Sequence, residues 1–220
     1  MTTDTAVGTR SGIEPVNLFA RDPVSGVTEH PLAPELRQWT TEYLCRSHPD
    51  LGRHGPVCPY MSHAVKHRFL WAAFLGGRHF EVERIIAVAD DLYDLYPVLA
   101  PQDPPDSGFK AVLAVFPDLT EYGGIETVQR DQKSRFVEHG LMLGQFYPGC
   151  TVSGLHNPDF PALDSPLPLL AVRHMVPTDF PFLNTRPDWI DAYLRIFAPE
   201  IPEFITTAMA DELAHSAGGA

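Results

Sequence analysis

His139 to Leu183 reads HGLMLGQFYPGCTVSGLHNPDFPALDSPLPLLAVRHMVPTDFPFL. Two apolar runs, LMLGQFY and PLLAVRHM, bracket a connection rich in Gly, Pro and Asn. The second run predicts a buried strand over Leu167–Met175. The first predicts a further, antiparallel strand, and that addition turns the fold class toward α+β. Between and beside the runs stand Gln145, Cys150, His156, Arg173, His174 and Asp179. A plain connector has no use for so many polar and special residues, so a polar pocket is expected here.

Upstream, a helix is read over Ile125–Leu143, overlapping the first run. Gly140 weakens its end by about 1 kcal/mol relative to Ala. Phe109–Phe116 (FKAVLAVF) and His67–Leu75 (HRFLWAAFL) read as two more buried strands. Between them, Phe80 to Tyr96 is the clearest helix, with Ile85, Ile86, Ala89, Leu92, Tyr93 and Tyr96 on one face. Asp90, Asp91 and Asp94 are assigned to its wet side. Ala33–Arg46 opens the globular part as a helix, with Pro34 in its first turn. Asp188–Phe197 and Pro202–Leu213 read as closing helices, followed by a frayed tail. Alternating strands and helices predict an α+β domain with a small mixed or antiparallel sheet of three to five strands, ferredoxin-like among the options, covered by helices. Residues 1–30 read as a mobile N-terminal arm with local order around Val16, Leu18 and Phe19, contributing little to the core before about Val16, and 31–215 as a single globular domain.

The 220 residues, 44% hydrophobic and 20% charged, suffice for a real core. Twenty-two prolines point to long, ordered connections. The net charge of −12 argues against nucleic acid and anionic membranes as partners. No apolar run approaches the roughly 20 residues of a membrane-spanning helix, and no secretory signal opens the chain. Three widely spaced cysteines then read as thiols of a cytoplasmic protein.

Cys58, in G-P-V-C-P, is held by Pro56 and Pro59 and has Arg53, His54 and His63 close in sequence. It is a candidate reactive thiol, weighed against a small buried hydrophobe. Cys45, His48, His54 and Cys58 have zinc-like residue types, but Cys45 is better explained by helix packing, so no metal is expected. His63 and His67, four apart, lack the Glu of a metalloprotease helix and read as surface residues. Gln145, set among apolar residues, either ties down a loop or reads a ligand. Arg173 suits an anion, the alternative being an ion pair with Asp179. His174 and His156 are candidate proton carriers. Arg173 and His174 point to opposite faces of a regular strand. Dinucleotide, P-loop and nucleophile-elbow motifs are missing.

Together, HPDLGRHGPVCPYM, FVEHGLMLGQFYPGC and LLAVRHMVPTDFPFL resemble an uncharacterised domain family of actinobacteria, often encoded near specialised-metabolite genes. The resemblance runs from about His48 to Phe197. It implies a stand-alone bacterial domain with a biosynthetic role and carries over no catalytic residue or cofactor. The expected function is a small-molecule enzyme acting on an anionic or amino-acid-like metabolite by acid/base chemistry. Arg173, Gln145 and Asp179 would bind the substrate, and His174, His156 and Cys58 would do the chemistry. The alternatives are a non-catalytic accessory protein for a partner enzyme, and a haem-binding or redox protein. A homodimer or a partner enzyme completes the expected associations.

Overall fold

A computed structural model describes residues 6–20, 29–198 and Thr207. One five-stranded mixed sheet organises them, in the order β1-β2-β3-β5-β4. Its strands are β1 (Val16–Asn17), β2 (Leu70–Phe74), β3 (Ala111–Val115), β4 (Leu141–Phe146) and β5 (Leu169–His174). Only β2 and β3 run parallel, joined by helix α3 (Val82–Leu95); β1–β2, β3–β5 and β4–β5 are antiparallel. After β1 the order is strand-helix-strand-helix-strand-strand, whereas a ferredoxin-like unit runs β-α-β-β-α-β.

The central strands LWAAF and AVLAV are apolar throughout because both faces of the sheet are covered. Trp71, Ala73, Val112, Ala114, Leu170 and Val172 pack on one side with residues of α3 and of α4 (Gly123–Glu138). Leu70, Ala72, Ala111, Leu113, Val115 and Leu169 form the other side, under Ala33 and Leu36 of α1 (Ala33–Gln38) together with Trp39 and Met61.

Several boundaries differ from the sequence reading for local reasons. α4 stops at Glu138, because Gly140 takes a left-handed conformation (φ 72°), and LMLGQF is strand β4 rather than helix. α1 passes at Trp39 into a π-helical turn, Trp39–Leu44, instead of continuing to Arg46. A short helix α2 (Met61–His67) occupies the start of the expected strand and ends where Arg68 turns left-handed (φ 62°). Its His63 and His67 rings stack at 4.2 Å; His67 is exposed and His63 half-buried against Phe109. Asp188–Phe197 falls within α5 (Pro187–Phe197), whereas the expected helix Pro202–Leu213 lies outside the described residues apart from helical Thr207.

The amino-terminal segment is ordered around Val16 and Leu18, and also before them. Residues 6–20 lie on the domain: β1 pairs with β2, and Ile13 and Leu18 are buried in the two cores. Asp91, expected on the wet side of α3, is 1% exposed and anchors this segment. Its carboxylate accepts hydrogen bonds from the Ser11 amide and hydroxyl, each at 2.6 Å, and from the Arg10 amide at 3.1 Å. Burial pushes the Asp91 carboxyl up, but these donors outweigh it and hold the group below its ordinary value. A Cβ on Gly8 would lie 2.3 Å from this carboxylate, so the approach requires glycine. Asp91→Ala leaves the Ser11 donors unpaired and should cost about 1–3 kcal/mol, read as a lower urea midpoint. An unchanged midpoint would show that the segment is only resting on α3.

Candidate functional site

β5 delivers Arg173 to one face of the sheet and His174 to the other, as strand alternation requires. At this end of the sheet, beside the start of β3, Cys58, Tyr60, Met61, Lys110, Arg173 and Val176 line a cavity of about 20 Å³. That volume admits about one water molecule. Cys58 is carried there by the loop that follows the π-helical turn, where its amide donates to Leu44 O at 2.8 Å. The Tyr60 hydroxyl reaches Thr178 Oγ1 at 3.3 Å.

Arg173 is not an open anion fork. Its two terminal nitrogens donate to the two carboxylate oxygens of Asp179, both at 2.7 Å, and one also donates to His174 O at 2.8 Å. Asp179 is 2% exposed and also accepts from the Val176 amide at 2.9 Å. Arg173 and Asp179, both expected to bind substrate, are each other's hydrogen-bond partners. Burial opposes the Arg173 charge, but Asp179 outweighs it, and Cys58 and Tyr60 add smaller favourable contributions. The guanidinium is thus a fixed positive charge at the cavity, oriented by the protein.

His174 lies across the sheet. Its ring meets Tyr96 edge-on at 5.2 Å, and its amide donates to the Tyr96 hydroxyl at 3.1 Å. Burial lowers its pKa, a hydrogen bond with the Gly140 backbone partly offsets this, and the Lys110 charge lowers it further. Lys110 was not singled out from the sequence. It is 1% exposed, and its ammonium donates to Leu99 O at 2.6 Å and Pro101 O at 2.8 Å while sitting 4.7 Å over the Tyr96 ring. With carbonyls as its hydrogen-bond partners, burial pulls it down to about 8. A lone lysine inside the apolar run FKAVLAVF was the signal that could have found it.

The other candidates do not join this group. Gln145 pairs with Leu170 toward the far end of β4, and its buried Oε1 has no hydrogen-bond partner. His156 is exposed on a loop whose carbonyl packs against Gly52, where a Cβ would come within 2.5 Å. A second, larger cavity of about 340 Å³ lies at the carboxyl end of β2, with Ser11, Glu14, Phe74, Phe80 and Arg84 in its walls. Among the described residues no three His, Cys, Asp or Glu side chains are grouped to hold a metal, and no helix is long and apolar enough to cross a membrane.

An open five-stranded α+β sheet with a cysteine and a carboxylate-held arginine at one end defines the class of this protein. The chain belongs to the family described as Domain of unknown function (DUF6875), whose model matches residues 33–208. No curated protein and no solved structure matches it.

Proposed function

We propose that this chain is a small-molecule enzyme of bacterial specialised metabolism in which the Cys58 thiol is the reacting group. One observation carries the reading: Cys58 and the Asp179-held guanidinium of Arg173 line the same cavity. The Cys58 sulfur would be reached through this cavity, and the thiolate is the attacking form of cysteine. Asp179 occupies the Arg173 fork and the cavity has room for about one water, so an anionic or amino-acid-like substrate would meet Cys58 at the cavity's mouth rather than bind inside it. His174 takes no part at the cavity, since the sheet separates them. The family resemblance supports the metabolic setting. The haem-binding or redox alternative would use the Cys58 sulfur or a His as ligand, and a Soret band in the purified protein would favour it.

Alkylation of the reduced full chain with iodoacetate tests the reading. Cys58 should label about tenfold or more faster than Cys45, and added salt should slow it. Equal rates at the two cysteines, or labelling indifferent to salt, would remove Cys58 as the reacting group. A second reading, a non-catalytic ligand-binding or accessory protein, is favoured by the cleft at the carboxyl end of β2. Its volume of about 340 Å³ is in the range of small-molecule sites.

A further inference from the structure

Cys45 and Cys58 are far apart in sequence and adjacent in the fold. The segment between them leaves the π-helical turn at Leu44, loops out through Gly52 and Gly55, and returns to the same place. Its neck is zipped by backbone contacts. Ser47 and Pro56 form an antiparallel bridge, the Val57 amide donates to Arg46 O at 2.8 Å, and the Cys58 amide donates to Leu44 O at 2.8 Å. The bond from the Cys58 amide to Leu44 O lies one residue out of the Ser47–Pro56 register, because Cys45 keeps the backbone angles of the helix end (φ −85°, ψ 1°), and it seats Cys58 against the Leu44–Cys45 peptide. A disulfide requires the two Cα atoms to be near neighbours, about 4.4–6.8 Å apart, as across such a backbone contact. The two thiols are close enough to interact electrostatically, and both are half-buried and unbonded. Cys150, the third cysteine, is buried elsewhere and 1% exposed.

We infer that Cys45 and Cys58 are the two halves of a reversible disulfide site, formed by exchange with a low-molecular-weight disulfide such as oxidised glutathione. Cys58, beside Arg173 at the cavity, is the attacking sulfur. Its thiolate displaces one glutathione thiolate and leaves a mixed disulfide. Cys45, deprotonated in turn, attacks the Cys58 sulfur and releases the second glutathione, which takes up the proton. The protein loses two thiol hydrogens and two electrons, and one glutathione disulfide becomes two glutathione thiols. The roles follow from surroundings. Burial pushes the Cys45 thiol up against the opposing effect of its hydrogen bond with Ser62, whereas Cys58 faces the cavity. The closed ring ties the 46–57 loop covalently and consumes the sulfur beside Arg173. The pairing rests on the backbone contacts at the neck of the loop and the thiols' mutual electrostatic contact, and only its consequence for activity rests on Cys58 being the reacting group.

The test uses the full chain, reduced and then treated with glutathione disulfide. Two of its three thiols should disappear without retained glutathione mass, peptide mapping should find Cys45 linked to Cys58, and dithiothreitol should restore both. Cys45→Ser should instead hold a stable glutathione adduct at Cys58, because the resolving sulfur is gone, while Cys58→Ser should stay largely unmodified. A wild-type chain that accumulates the Cys58 adduct, keeps all its thiols, or links through Cys150 overturns the pairing. These readouts need no substrate. A disulfide that forms in a protein whose Cys58 alkylates no faster than Cys45 would sink the proposed function and leave the disulfide site standing.

Discussion

Arg173→Ala should lose about 3–5 kcal/mol of stability, the range for removing one partner of a buried ion pair. Asp179 is 2% exposed, and two of its hydrogen bonds come from Arg173. Truncation leaves the carboxylate with the Val176 amide as its remaining donor. Arg173 is itself about one-third exposed, so water reaching the vacated space places the loss at the lower end of that range. Arg173→Lys should recover only part of it, because an ammonium cannot span both carboxylate oxygens. The decisive comparison is Arg173→Met with Asp179→Leu together. If the pair is structural, the double variant is more stable than Arg173→Met alone, since no buried charge is left behind. Urea midpoints read all three. An Arg173→Ala protein with an unchanged midpoint would return Arg173 to the open, ligand-holding role expected from the sequence.

The second large effect is a pH dependence set by Lys110. Burial lowers its folded-state pKa from 10.5 to about 8. Below the lower value both states carry the proton, and the buried charge destabilises the fold by its full amount. Between the two values the unfolded chain still binds the proton while the folded chain has released it, so stability rises with pH. Above 10.5 the contribution is level. The gain from pH 7 to pH 10 corresponds to about 2.5 kcal/mol. The Cys45 thiol, raised by burial, titrates in the same window with the opposite sign, so the measurement is a difference between wild type and Lys110→Met. Wild type should gain on the variant across pH 8–10. Parallel profiles would show that Lys110 keeps an ordinary pKa, with water reaching its carbonyl cage.

Charge in this protein follows contacts that local patterning does not record. Asp90, Asp91 and Asp94 look alike on α3, yet Asp91 is buried under Ser11 while Asp94 is exposed and pairs with Arg10. Helical periodicity points Asp91 away from the sheet but says nothing of a preceding segment that covers it. Lys110 and Gln145 pose the same problem, since a polar residue in an apolar run is visible while its partners are not. The carbonyls that hold Lys110 come from Leu99 and Pro101, on a loop between α3 and β3.

What the sequence determined by itself is the local order. Apolar runs of strand length marked four of the five strands, the alternation of β5 put Arg173 and His174 on opposite faces, and LMLGQFY pointed to an α+β sheet. Arg173 and Asp179 stand six residues apart, close enough for their pairing to be weighed from the chain alone. Tertiary structure alone decided the rest. It set the strand order, docked β1 on β2, brought Cys58 from a distant loop to Arg173, and placed Gln145 and His156 elsewhere. The physical reason is range. Periodicity and turn chemistry act over a few residues, whereas a buried charge or thiol takes its character from whichever remote segment supplies its donors and excludes water.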